Sequence, residues 1–187
     1  MEGASGDPAC LESKRVYSGR VVSLDVDTVR FPNGSTGELE IIRHPGASAV
    51  VPLLDHPAEA DPRVLLIRQY RYAAQGFVFE IPAGRLDGNE APEKCALREL
   101  KEETGYSAEQ VAPLTTFYTT PGFTDERIHL FLATGLEPGE STLESDEILE
   151  LRPTSLSAAL EMVATGEIVD AKTMIGLLLA ASLIRRG

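Results

Sequence analysis

Residues Gly84 to Tyr106 read GRLDGNEAPEKCALRELKEETGY, and the spacing within this stretch decides how the rest of the chain is understood. Five residues separate Gly84 from Glu90, seven more lead to Arg98-Glu99-Leu100, and Lys101, Glu102-Glu103, Thr104 and Gly105 follow. Glu99, Glu102 and Glu103 stand at i, i+3 and i+4, so a helix places them on one face. A charged helix is ordinarily a solvated surface laced with i,i+4 pairs, and Arg98 with Glu102 has that spacing. Three like charges on one face nevertheless repel and weaken the helix that carries them. A cation seated on them removes that penalty, and clustered carboxylate oxygens are what a hard ion such as Mg²⁺ selects.

The flanks supply the local structure. Phe77-Val78-Phe79-Glu80-Ile81 reads as a short strand, Pro82-Ala83-Gly84 breaks it, and Asp87-Gly88-Asn89 is turn chemistry. Pro92 suits the first turn of a helix, where its missing N–H does no harm. The spacing predicts a helix from Pro92 to about Thr104, stopped by Gly105. Strand, loop and helix in that order turn the acidic face toward the loop and make a metal pocket.

The seven letters Gly84, Glu90, Arg98, Glu99, Glu102, Glu103 and Gly105 are the fixed positions of the Nudix signature. At ordinary residue frequencies they agree by accident on the order of once in 10^8 starting points. The chain therefore resembles the Nudix hydrolases over most of residues 14 to 186. More closely it resembles their ADP-ribose pyrophosphatase branch, marked by a proline sixteen residues past the second motif glycine; Pro121 stands there, in Thr119-Thr120-Pro121-Gly122-Phe123-Thr124-Asp125-Glu126. Pro121-Gly122 in an arbitrary protein is a plain turn, but here the distance matches. Arg68-Gln69-Tyr70-Arg71 and Glu80-Ile81-Pro82-Ala83-Gly84 also look like that branch. Two departures stand out. Tyr106 replaces the usual aliphatic residue, and Leu39-Glu40 lies where relatives often carry Arg-Glu, so no substrate contact is carried over there.

Composition bounds the remainder. The chain has 187 residues, 43% of them apolar, which suits one soluble catalytic domain with a modest extension. Cys10 and Cys95 sit in unrelated surroundings, so neither a disulfide framework nor metal spacing is indicated, and a reduced cytoplasmic setting fits. The longest apolar stretch, Met174 to Ile184, is shorter than the roughly 20 residues that span a bilayer, and no membrane partner is expected. A net charge of -12 argues against a nucleic-acid partner, since that binding draws on Lys and Arg. The same charge repels a diphosphate, so metal and local arginines must invert the field within the cleft.

Residues 1 to 13 read as a flexible tail, residues 14 to 45 as an N-terminal β region, and residues 46 to 187 as the catalytic domain. Val16 to Phe31 alternates, Asn33-Gly34 is a hairpin turn, and Glu38 to Arg43 is a second strand. Further strands are expected at Gly46 to Leu54, Arg63 to Tyr70, around Val111 to Tyr118, and at Arg127 to Thr134, with a loop at Thr119 to Asp125. After an acidic stretch from Glu137 to Glu150 come two helices, Ser155 to Thr165 and Asp170 to Arg186, each with its first residue as a cap. Interleaved strands and helices with hairpins indicate an α/β fold with a mixed sheet; the resemblance specifies a Nudix-type α/β/α sandwich plus the N-terminal antiparallel β region.

What the resemblance implies is hydrolysis of a nucleoside diphosphate sugar at its diphosphate. ADP-ribose is first, giving AMP and ribose 5-phosphate; GDP-mannose or another such sugar is the alternative. Mg²⁺, with Mn²⁺ as a substitute, is held by Glu99, Glu102, Glu103 and the Ala83 carbonyl. Arg98 orients a motif glutamate, and the general base is Glu144, or failing it Glu147, from a late loop. Arg71, Arg68, Glu80 and Phe123 are the substrate-binding candidates. Glu126 assists the metal site, and Glu90 holds the loop or the start of the helix. Relatives exchange N-terminal strands across a two-fold, so a homodimer is expected. The main rival is a non-catalytic Nudix module that senses a nucleotide; this chain keeps every motif glutamate.

Overall fold

The computed structural model describes residues 7–142 and 149–185. The chain divides into two units: one takes the residues up to Gly46 together with Tyr118–Arg127, the other takes Ala47–Phe117 and the chain from Ile128 onward.

The first unit is an antiparallel sheet of β1 (Ala9–Ser18), β2 (Ser23–Arg30) and β3 (Thr36–Arg43), in that order. The Asn33-Gly34 turn is present, with Gly34 at φ 81° and its N–H donating to Phe31 O. Two details differ from the sequence reading. β1 begins at Ala9, inside the stretch read as tail, because pairing to β2 orders a strand that is exposed along its whole length. The single alternating run from Val16 to Phe31 is two strands, turned at Gly19, whose N–H donates to Val22 O. Asp25 and Asp27 are buried on β2, where Arg15 and Arg43 pair with Asp25, and Arg43 and Ser13 with Asp27. The loop after Tyr118 is fastened to the end of β3: Ile42 N donates to Phe123 O, and His44 N to Asp125 Oδ1, both at 2.8 Å.

The second unit holds two sheets. β10 (Leu149–Ser155), β5 (Arg63–Arg71) and β6 (Gly76–Glu80) form an antiparallel one. The other has the order β7 (Ala83–Arg85), β4 (Ala47–Pro52), β9 (Arg127–Glu137), β8 (Ser107–Tyr118), with β4 parallel to β9 and antiparallel to β7. The sheet is therefore mixed. Strand period sends alternate residues of β4 to opposite faces. Ala49 and Val51 join Leu130, Leu177 and Ala180 in one core, against α2 (Leu156–Thr165) and α3 (Ala171–Ile184). Val50 joins Ala96, Leu100 and Phe131 in the other, against α1 (Pro92–Thr104). Helices on both faces of one sheet give the α/β/α sandwich. The approach is close: a Cβ on Gly176 of α3 would stand 2.7 Å from Val51 Cγ2.

α1 and α2 have the ends read from sequence, and α3 begins after its expected cap but ends at Ile184, short of the Arg186 that was expected. Pro92 opens α1, and Gly105 at φ 78° closes it; Ser155 and Asp170 cap α2 and α3 through their side chains. β7 and β10 were not expected as strands. β7 forms because β4 offers an edge to the motif loop, and β10 tolerates Pro153 because it is an edge strand itself.

Candidate active site

The site grows from the junction of β6, β7 and α1. Val50 N donates to Pro82 O, and Ala49 pairs with Ala83 and Ser48 with Gly84, so the motif loop lies along β4 with its backbone fixed. Burial of Ala96 and Leu100 against β4 and β9 sets the roll of α1. Glu103 is consequently 3% exposed, and its Oε2 accepts the Ala83 N–H at 3.1 Å. Glu99 lies on Gly84: a Cβ built there would meet Glu99 Oε1 at 1.9 Å, so any side chain at this position would push that carboxylate away.

Arg98 stands among the carboxylates. Its Nη1 donates to Glu99 Oε1 at 2.6 Å and to Glu102 Oε2 at 2.9 Å, while Nε and Nη2 take both oxygens of Glu90 at 3.0 and 2.9 Å. Nη2 also reaches Arg85 O at 3.2 Å, tying the helix to the loop. The Arg98 guanidinium holds the Glu90 carboxyl at about 2, well below its ordinary value. Glu90 Oε2 accepts the Asp87 N–H, so this carboxylate secures the loop ahead of the helix. Cys95 is fully buried, and burial pushes its thiol up to about 11, which suits packing and not nucleophilic work.

A divalent ion can be weighed against this arrangement. Among the described residues, no three His, Cys, Asp or Glu side chains converge as a formed metal centre. Arg98 instead engages Glu90, Glu99 and Glu102 together. The donor set still fits a hard cation: every candidate ligand is an oxygen, and Glu99 and Glu103 rise one turn apart against Gly84 and Ala83.

A second cluster centres on Glu80, the last residue of β6 and three residues before Ala83. Arg71 presents a fork to Glu80, Nε to Oε1 at 2.7 Å and Nη2 to Oε2 at 2.9 Å. Lys172 of α3 donates to the same Oε2 and lies 3.1 Å from Asp170 Oδ1. Burial acts to raise the Glu80 carboxyl, but Arg71 and Lys172 outweigh it and hold the group below its ordinary value. Lys172 escapes a reading of the sequence, because only the packing of α3 onto this sheet brings it to β6. Its one signal is position, two residues past the Asp170 cap.

The remaining candidates fall as follows. Arg68 stacks on the Phe77 ring, 4.1 Å from its centroid, and lies 3.7 Å from Glu150. Tyr70 meets Phe77 edge to face at 5.6 Å. Phe123 belongs to the first unit, where it is half exposed; Glu126 in that unit accepts from Thr119 and faces His44 at 3.4 Å. Glu144 and Glu147 lie outside the described residues. A cavity of about 580 Å³ borders Pro92, Pro113, Leu114, His129 and Phe131, and none of the candidate side chains lines it.

Comparison with known proteins bears on this geometry. The NUDIX domain model matches residues 43–174. The methanol dehydrogenase activator of Bacillus methanolicus is 43% identical over 167 residues, covering 88% of each chain. The ADP-ribose pyrophosphatase of Bacillus subtilis (strain 168) is 41% identical over 165 residues, 87% of this chain and 86% of its own. A crystal structure of an ADP compounds hydrolase superposes with a TM-score of 0.83 over 97% of this chain and 96% of its own; at 22% identity it speaks for the fold. With the signature helix, the motif loop and the mixed sheet all in place, the chain belongs to the NUDIX family.

Proposed function

We propose that this NUDIX pyrophosphatase hydrolyses the diphosphate of a nucleoside diphosphate sugar, ADP-ribose foremost, to AMP and ribose 5-phosphate. The observation that carries the reading is the seating of Glu99 and Glu103 of α1 on Gly84 and Ala83 of β7. The ADP-ribose pyrophosphatase relative supports the choice of substrate.

Hydrolases of this family use divalent metal ions. In this reading Glu99, Glu102, Glu103 and the Ala83 carbonyl hold the ion, Mg²⁺ or Mn²⁺ in its place. Bound there, such an ion neutralises the diphosphate and lowers the pKa of a water. The protein's own contribution is placement. Glu103 is fixed by the Ala83 amide, and Arg98 keeps Glu99 and Glu102 from repelling one another until they are needed. Glu144 accepts the proton of the attacking water, with Glu147 as the second choice. Arg71 meets the diphosphate and Glu80 acts through Arg71; Arg68 joins them in the binding set. In the dimer we propose, β1 supplies the contact, and its exposed Leu11, Val16 and Tyr17 support that assignment.

The test is incubation with Mg²⁺ and a panel of ADP-ribose, GDP-mannose, ADP-glucose and 8-oxo-dGTP, with products separated by ion-exchange chromatography. Fastest turnover of ADP-ribose, with AMP appearing, is the expected result. A second reading rests on the relative that is a methanol dehydrogenase activator: a module that binds a nucleotide and acts on a partner. Tight binding of ADP-ribose without AMP release would favour it.

A further inference from the structure

Glu80 carries one buried carboxylate and two cations, and the two cations are not equivalent. The Arg71 side chain is 43% exposed, Lys172 is 12% exposed and Glu80 is 4% exposed. Arg71 is thus the solvent-side partner and Lys172 the interior one. Arg71 spends its Nε/Nη2 edge on Glu80, so presenting that edge to a ligand requires it to leave Glu80. Removing the sole partner of a buried carboxylate is strongly unfavourable, and such a penalty would lock Arg71 in place.

Lys172 removes that penalty, and the fold prevents it from following Arg71. Lys172 occupies the first turn of α3, where Asp170 caps the helix by accepting the Thr173 N–H at 3.0 Å and its hydroxyl at 2.6 Å. Thr173, fully buried, accepts the Ile81 N–H on its Oγ1 at 2.9 Å, which pins this turn to the residue after Glu80. Asp170 also stands 3.1 Å from the Lys172 ammonium. We infer that Lys172 is a reserve counter-ion: it keeps Glu80 paired when Arg71 swings to an anionic ligand, and so sets how readily Arg71 can bind a diphosphate. Lys172 is a positioning residue in this role and touches no substrate. The inference rests on the proposed contact between Arg71 and the diphosphate.

Calorimetric titration with the α,β-methylene analogue of ADP-ribose tests it without turnover. Arg71→Met is expected to raise Kd about tenfold, and Lys172→Met to raise it to a similar degree, because Glu80 then retains Arg71. With Glu80→Gln in the background no buried charge holds Arg71, so adding Lys172→Met should change Kd by less than about twofold. A merely structural Lys172 would instead weaken binding equally in both backgrounds. That result, or a wild-type Kd in Lys172→Met, overturns the inference while leaving Arg71 as a ligand contact. A wild-type Kd in Arg71→Met, or no binding by the wild type, removes the contact and the inference together. Should Lys172→Met not fold, a crystal structure of the wild type with the analogue decides. Arg71 on the diphosphate with Lys172 still on Glu80 supports the inference; Arg71 still paired to Glu80 overturns it.

Discussion

Glu103 combines burial, a carboxylate and a bond to the Ala83 amide that sets the motif loop. Replacing it with Gln preserves shape and removes charge. Turnover is expected to fall about 100-fold or more in the presence of Mg²⁺, with the far-ultraviolet dichroism unchanged. Near-wild-type AMP release would remove Glu103 from the metal site. Glu90 makes a different test. Its folded-state pKa of about 2, against 4.5 unperturbed, means that its pairing with Arg98 stabilises the fold fully above about 4.5 and less as pH falls toward about 2. Urea midpoints of wild type and Glu90→Gln should therefore differ most at pH 7, less at pH 3, and converge only as pH falls below about 2; a difference independent of pH would show that the charge of the pair contributes nothing. The carboxylates of α1 were legible because helical period alone puts Glu99, Glu102 and Glu103 on one face. The reach of Arg98 to Glu90, across eight residues, and the arrival of Lys172 at Glu80 were not, because both depend on where separate segments dock.

At the scale of elements, α1 is the helix its sequence describes. Proline opens it, glycine closes it, and the buried Ala96 and Leu100 fix which side faces the sheet. Its acidic face is useful only because β7 lies against it, and β7 has no strand signature of its own. Ala83-Gly84-Arg85 becomes a strand through the edge that β4 presents, an interaction that no local pattern encodes. Gly84 is the point where the two elements meet. Gly84→Ala is expected to displace the Glu99 carboxylate and lower kcat by about 100-fold, with Tm within about 3 °C of wild type. An active Gly84→Ala enzyme would mean that Glu99 need not lie on that backbone. β10 was hidden for the opposite reason: Pro153 argues against a strand, yet an edge strand pairs on one side only and accommodates it.

At the scale of the whole molecule, a net charge of -12 surrounds a site intended for an anionic substrate, which is why a cation and Arg71 carry so much of the proposal. No sequence signal places Tyr118–Arg127 with the first unit. That segment joins β3 through backbone bonds at Ile42, which sequence separation conceals. The first unit also presents β1 as a bare edge with Val16 and Tyr17 exposed, and light scattering at micromolar concentration should give a dimer. Val16→Lys should shift it toward monomer; a monomeric wild type would contradict the assignment. The most direct test of the central claim is a crystal structure with Mg²⁺ and the methylene analogue of ADP-ribose. The expected result is metal density on Glu99 and Glu103, between α1 and the ligand's diphosphate. A ligand bound elsewhere, with those carboxylates still paired to Arg98 and Ala83, would contradict it.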